Sequence, residues 1–173
     1  QDAASGALTQ PKATHELAIE NALLVEDSLV DARIAATYLE AMGITVRRLS
    51  EDENVHAIVW QMKPDLIVLD VLLPKESGWS ILEALKKNPA TAAIPVLMVS
   101  ALDQAEKGFG LGADGYLVKP LKQEELRQEI ERLTRAAQTA TALLVATGAP
   151  LILMAEDNEL SIRPLQDFLR SLQ

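Results

Sequence analysis

The chain has 173 residues, of which 49% are hydrophobic and 24% charged, with a formal net charge of −9 and no cysteine. That length accommodates one domain with a sizeable core and is short for two. The acidic balance excludes a clustered basic face for nucleic acid, and the missing cysteines exclude disulfides, cysteine-ligated metals and thiol catalysis, which fits a reducing, cytoplasmic setting.

Residues 1–18 are mostly small and polar with one proline and read as a flexible leader. Short apolar runs then alternate with helix-period segments. The runs are "NALLV" (21–25), "ITVRR" (44–48), "DLIVL" (65–69), "IPVLMV" (94–99) and "DGYLV" (114–118). Three of them contain unbroken apolar stretches, as expected of strands buried on both faces. Between the runs, Val30, Ile34, Tyr38 and Ala41 form one helical stripe, ended by Gly43. Val55, Ile58, Val59 and Met62 form a second, and Trp79, Leu82 and Leu85 a third. A short helix is expected over 102–109, and Leu126, Ile130, Leu133 and Ala137 mark a fifth. This βαβα rhythm predicts an α/β fold: a parallel sheet, doubly wound, with helices on both faces.

The residues just past each run carry the chemistry. Glu26 and Asp27 come after "ALLV", Asp70 after "LIVL", Ser100 after "VLMV", and Lys119-Pro120 after "GYLV". The C-terminal ends of parallel strands share one edge, where open α/β sheets bind ligands. Three carboxylates meeting there repel one another unless a cation neutralises them, and Mg²⁺ (or Mn²⁺) suits an all-oxygen ligand set. With a lysine and a hydroxyl beside them, the set suits phosphoryl transfer to a carboxylate nucleophile.

"LLVEDS", "PDLIVLDVLLPKESGW", "IPVLMVSA" and "GADGYLVKPL" resemble the response-regulator receiver family of two-component signalling. The resemblance covers residues 19–137. It implies a flavodoxin-like five-stranded sheet in the order 2-1-3-4-5. It also implies Asp70 as phosphoacceptor, and Glu26, Asp27, Asp70 and the Leu72 backbone carbonyl as Mg²⁺ ligands. Ser100 would be the switch hydroxyl, Lys119 the phosphate-binding amine, Tyr116 the aromatic that reports phosphorylation, and Lys119-Pro120 a cis peptide. The implied donor is a histidine kinase or histidine phosphotransfer domain, and the implied role a phosphorylation switch in a phosphorelay. Leu72 and Leu102, the positions that tune hydrolysis in such proteins, are both apolar here, so slow autodephosphorylation is expected.

Other readings compete. "THEL" (14–17) resembles a histidine-kinase phosphoacceptor box around His15, but no proline comes after it and a strand starts within five residues. His56 reads as a solvated or half-buried histidine and Trp79 as packing. A receiver-like docking module that is never phosphorylated is disfavoured by the complete acceptor set. A flavodoxin-type cofactor binder is disfavoured because Glu26-Asp27 stands where a phosphate loop would be. Residues 121–137 could begin a coiled coil, which leaves a homodimer open.

Near the end, "LILMAEDNEL" (151–160) echoes the first motif: Leu23, Glu26, Asp27, Arg33 and Leu39 recur as Leu153, Glu156, Asp157, Arg163 and Leu169 at one constant offset. Residues 151–173 are therefore expected to be the first strand and helix of a truncated second receiver, after a linker at 138–150. The chain would be a piece of a tandem-receiver or hybrid-kinase protein. Residues 136–155 carry no charge, but Gln138, three threonines, Gly148 and Pro150 interrupt them, so no membrane span is expected.

Overall fold

The structure is a computed structural model, and it describes residues 19–49 and 53–147. Five strands alternate with five helices: β1 Asn21–Val25, α1 Leu29–Ala41, β2 Thr45–Arg48, α2 Val55–Met62, β3 Leu66–Asp70, α3 Gly78–Lys87, β4 Val96–Ser100, α4 Ala105–Gly110, β5 Gly115–Val118 and α5 Gln123–Thr147. All pairings are parallel and the order is β2-β1-β3-β4-β5, the flavodoxin-like order that the sequence resemblance implies.

The strands' period of two sends alternate residues to opposite faces. Ala22, Leu24, Leu66, Val68, Leu97 and Val99 join α1 and α5 in one buried cluster. Leu23, Val25, Ile67, Leu69, Val96 and Met98 join α2 and α3 in the other. Each large aliphatic side chain buried in this way contributes about 1.5–3 kcal/mol of transfer free energy. β3 and β4 are buried at every residue, which is why their sequences show no alternation. β2 is an edge strand, half-exposed and ending in Arg47-Arg48, charges that discourage pairing with another sheet.

Helix starts are set by side-chain caps. Ser28 Oγ accepts from the Asp31 amide, Asn54 Oδ1 from Ala57 and Ser77 Oγ from Trp79, each satisfying a donor that the first turn leaves unpaired. Gly43, just beyond α1, takes a φ of +84°, the left-handed conformation that ends helices cheaply in glycine.

Two expectations change in detail. In α1 the buried residues are Ala32, Ala35 and Leu39, while Val30 and Ile34 from the expected stripe are exposed. The alanines let the helix lie close to the sheet, and the bulkier aliphatics are left on its outer flank. The spacing was right and the face was not. The backbone of α5 stays helical to Thr147, into the segment read as a linker from 138. "QTATALLVAT" is rich in alanine and leucine and meets no glycine or proline until Gly148 and Pro150, so nothing local stops the helix earlier. The chain divides into two units after residue 138, and all the site residues lie in the first. The leader, "THEL" and the echoed motif at 151–173 lie outside the described residues. Among the described residues no helix is long and apolar enough to cross a membrane.

Candidate phosphoacceptor site

The sheet register brings the site together. Asp70 closes β3 beside Val99, and Ser100 closes β4 beside Val118. Lys119 comes directly after β5, with its amide donating to the Ser100 carbonyl at 2.8 Å. Glu26 comes directly after β1. Four strand ends therefore deliver two acids, a hydroxyl and an amine to one edge. The Lys119–Pro120 peptide is cis.

Lys119 is the hub. Its Nζ lies 2.7 Å from Asp70 Oδ2, 2.7 Å from Glu26 Oε2 and 3.0 Å from Asp31 Oδ2. Burial works against a charged amine here, but the hydrogen bonds to Asp70, Glu26 and Asp31 outweigh it and hold the ammonium above its ordinary range. Glu26 moves upward as well: burial is the main cause, Asp70's charge adds to it, and hydrogen bonds from Lys119 and the Ser28 amide oppose it. Glu26 and Asp70 are buried and Asp27 is exposed.

Carboxylate oxygens of Glu26, Asp27 and Asp70 lie within 4.8 Å of one another. Three carboxylates contact the one ammonium and Asp27 adds a fourth beside Glu26 and Asp70, so negative charge is in excess. Hard oxygen donors at this separation, with burial and Asp70's charge both acting against a lone charged Glu26, fit a small divalent cation. Asp70 Oδ1 also accepts the Leu72 amide at 3.0 Å, which fixes the carboxylate's rotation and keeps the Leu72 backbone at the acid.

Ser100 is fully buried and its Oγ accepts the Leu102 amide at 3.1 Å. The Tyr116 hydroxyl donates to the Leu102 carbonyl. One peptide segment is thus held at one end by the hydroxyl and at the other by the aromatic. The Tyr116 ring stacks on Trp79 at 6.3 Å between centroids and 12° between planes, with Lys107 Nζ 4.7 Å from the Trp79 ring centre. Trp79 is packing, as its sequence position suggested, and it ties α3 to α4 and β5. α4 is short, carries Gly108 and Gly110, and has no side-chain N-cap, so its intrinsic stability is low.

Asp31 was missed by the sequence reading. An acid in a helix's first turn is ordinarily explained by the helix dipole, and only the fold reveals that α1 aims it at Lys119, 88 positions away.

The family described as the response regulator receiver domain matches residues 22–131. The DNA-binding dual master transcriptional regulator RpaA of Synechocystis sp. is 35% identical over 141 residues, covering 78% of this chain and 58% of that protein. The chain spans about half the length of several of the curated relatives it matches. A putative response regulator from Chloroflexus aurantiacus superposes with a TM-score of 0.63 at 28% identity, over 68% of this chain and 98% of that one. The signal receiver domain of a signal transduction histidine kinase from Syntrophus aciditrophicus gives 0.61 at 26% identity, over 79% and 99%.

Proposed function

The chain belongs to the response regulator receiver domain family, phosphoacceptor switches of two-component signalling, and on that premise we propose that Asp70 takes a phosphoryl group from a phosphohistidine donor. The observation that carries this reading is the part-buried Lys119–Asp70 contact of 2.7 Å beside the Glu26/Asp27/Asp70 acid group. In the transfer, a carboxylate oxygen of Asp70 bonds to phosphorus while the phosphorus–nitrogen bond to the donor imidazole breaks. The imidazole leaves with the electron pair and is then protonated.

Glu26, Asp27, Asp70 and the Leu72 carbonyl would hold Mg²⁺ or Mn²⁺. Such an ion, when bound, would offset the charge of the acids and of the incoming phosphoryl oxygens. The Leu72 amide keeps Asp70 Oδ1 oriented. Lys119 shifts an N–H from a carboxylate to a phosphoryl oxygen. Ser100 already uses an Oγ lone pair on the Leu102 amide, so its hydroxyl proton is what it can offer to the phosphoryl group.

That offer supplies the switch. Drawing Ser100 toward Asp70 strains or breaks its bond to the Leu102 amide, and the Leu102 carbonyl is the acceptor for Tyr116. Tyr116 can then change rotamer, and the weak α4 repacks with it, altering the α4–β5–α5 face that partners read. The donor is a histidine kinase or a histidine phosphotransfer domain, and the parent protein carries receivers in tandem or joined to a kinase. The echoed motif at 151–160 supports that architecture.

Incubation with acetyl phosphate and Mg²⁺, then intact-mass analysis, tests the reading. One added phosphoryl group, absent in Asp70→Asn, supports it. An unmodified wild-type chain would point to a docking module instead.

A further inference from the structure

We infer that Asp31 is a positioning residue that competes with the phosphoryl group for Lys119 and so weakens capture of small, free phosphoryl donors. The inference rests on the reading of Asp70 as acceptor and deepens it.

A lysine ammonium has three N–H donors. Here three carboxylates receive them: Glu26 and Asp70 at 2.7 Å, and Asp31 at 3.0 Å. No donor is left over. A phosphoryl oxygen can therefore bind Lys119 only by displacing one acid. The side chains of Glu26 and Asp70 are 4% and 5% exposed, so water cannot take the lysine's place at either one. Asp31 has the longest contact and a side chain 38% exposed, so water can replace the lysine at little cost. Asp31 is the one that yields.

Its backbone does not move away when it does. The Asp31 amide is tied to Ser28 Oγ at 3.3 Å in the capped first turn of α1, where a negative side chain is favourable in its own right. The displaced carboxylate remains an anion close to the site, facing whatever negative group approaches Lys119. A free anion such as acetyl phosphate meets that charge unaided. A phosphohistidine carried by a docked protein has its interface contacts to offset it.

The test measures Mg²⁺-dependent binding of beryllium trifluoride by ¹⁹F NMR, and acetyl phosphate kinetics by intact mass, in wild type, Asp31→Asn and Asp31→Glu. Asparagine keeps the shape and removes the charge. It is expected to tighten beryllium trifluoride binding about fivefold, the scale of a partly exposed ion pair. It is also expected to lower the acetyl phosphate concentration that gives half the limiting phosphorylation rate, with the limiting rate itself unchanged, while glutamate stays close to wild type. Asp31→Ala provides a second neutral variant, and thermal melting confirms folding in each. Equal or weaker binding in both neutral variants overturns the inference. A wild type that neither binds beryllium trifluoride nor accepts phosphoryl overturns the acceptor-site reading itself.

Discussion

Lys119 Nζ meets Asp70 Oδ2 at 2.7 Å across 49 positions of sequence. The two come from the ends of β5 and β3, strands that do not touch, since β4 lies between them. Their meeting depends on parallel register and on the length of both side chains. The proposed switch needs that geometry, because the same amine would serve a carboxylate in one state and a phosphoryl oxygen in the other.

Gly78 lets α3 approach the end of β3 closely. A Cβ at this position would lie 2.0 Å from the Asp70 carbonyl oxygen and 2.8 Å from Val71 Cα, both backbone atoms that cannot rotate aside. Gly78→Ala should cost at least the roughly 1–3 kcal/mol typical of overpacked cores. Urea denaturation measures it. A loss too small to resolve would show that α3 moves freely from β3.

Occupation of the acid group by a divalent cation should stabilise the folded chain. With free Mg²⁺ at about 100 times its Kd the gain is about 2.7 kcal/mol, reversed by chelation. Asp27→Asn, at an exposed position, should fold normally and lose most of that gain. Thermal melting with and without EDTA reads it directly, and an unchanged response in the variant would remove Asp27 from the proposed ligand set.

Much of this was legible before the fold was known. Unbroken apolar runs such as "LIVL" and "VLMV" announce strands covered on both faces, and each ends at a polar residue, so the strand-end chemistry could be read in order. The α1 face could not. Ala32 and Ala35 are weak hydrophobic signals beside Val30 and Ile34, yet close approach to the sheet favours the small residues. Asp31 was hidden for a different reason: its partner is remote in sequence, and its local position already has an ordinary explanation. The end of α5 was missed because its apolar stripe was followed only to Ala137, while the backbone stays helical to Thr147.

The acid group should leave a signature in the pH dependence of stability. Glu26's carboxyl is held above its ordinary value of 4.5 by burial first and by Asp70's charge second. The native state therefore keeps this proton where the unfolded chain has lost it, and stability falls as pH rises through the native value. Lys119, shifted upward, stays charged across that window and contributes a constant amount. In divalent-free buffer Glu26→Gln should gain on wild type between about pH 4 and about pH 7, by up to about 1.4 kcal/mol for each pH unit over which the native carboxyl keeps a proton that the unfolded chain has lost. Denaturation at both pH values checks it; an identical difference between the two proteins at each would contradict it.

Hydrolysis of the aspartyl phosphate should be slow. Leu72 and Leu102 are 52% and 38% exposed, so water reaches them but neither side chain can orient it. Leu102→Asn is expected to speed dephosphorylation about tenfold, a fraction of the 10²–10⁴ that a positioned proton-transfer group supplies. Decay tracked by intact mass after removal of the donor gives the rate, and a wild-type half-life of seconds would contradict the expectation.

The central claim is chemical and local: the phosphoryl group resides on the carboxylate that Lys119 contacts. Borohydride reduction of the phosphorylated chain, then tandem mass spectrometry, locates an acyl phosphate at one residue. The account predicts a single reduced residue at Asp70, and none in Asp70→Asn. Reduction at Glu26 or Asp27 with Asp70 intact would contradict it.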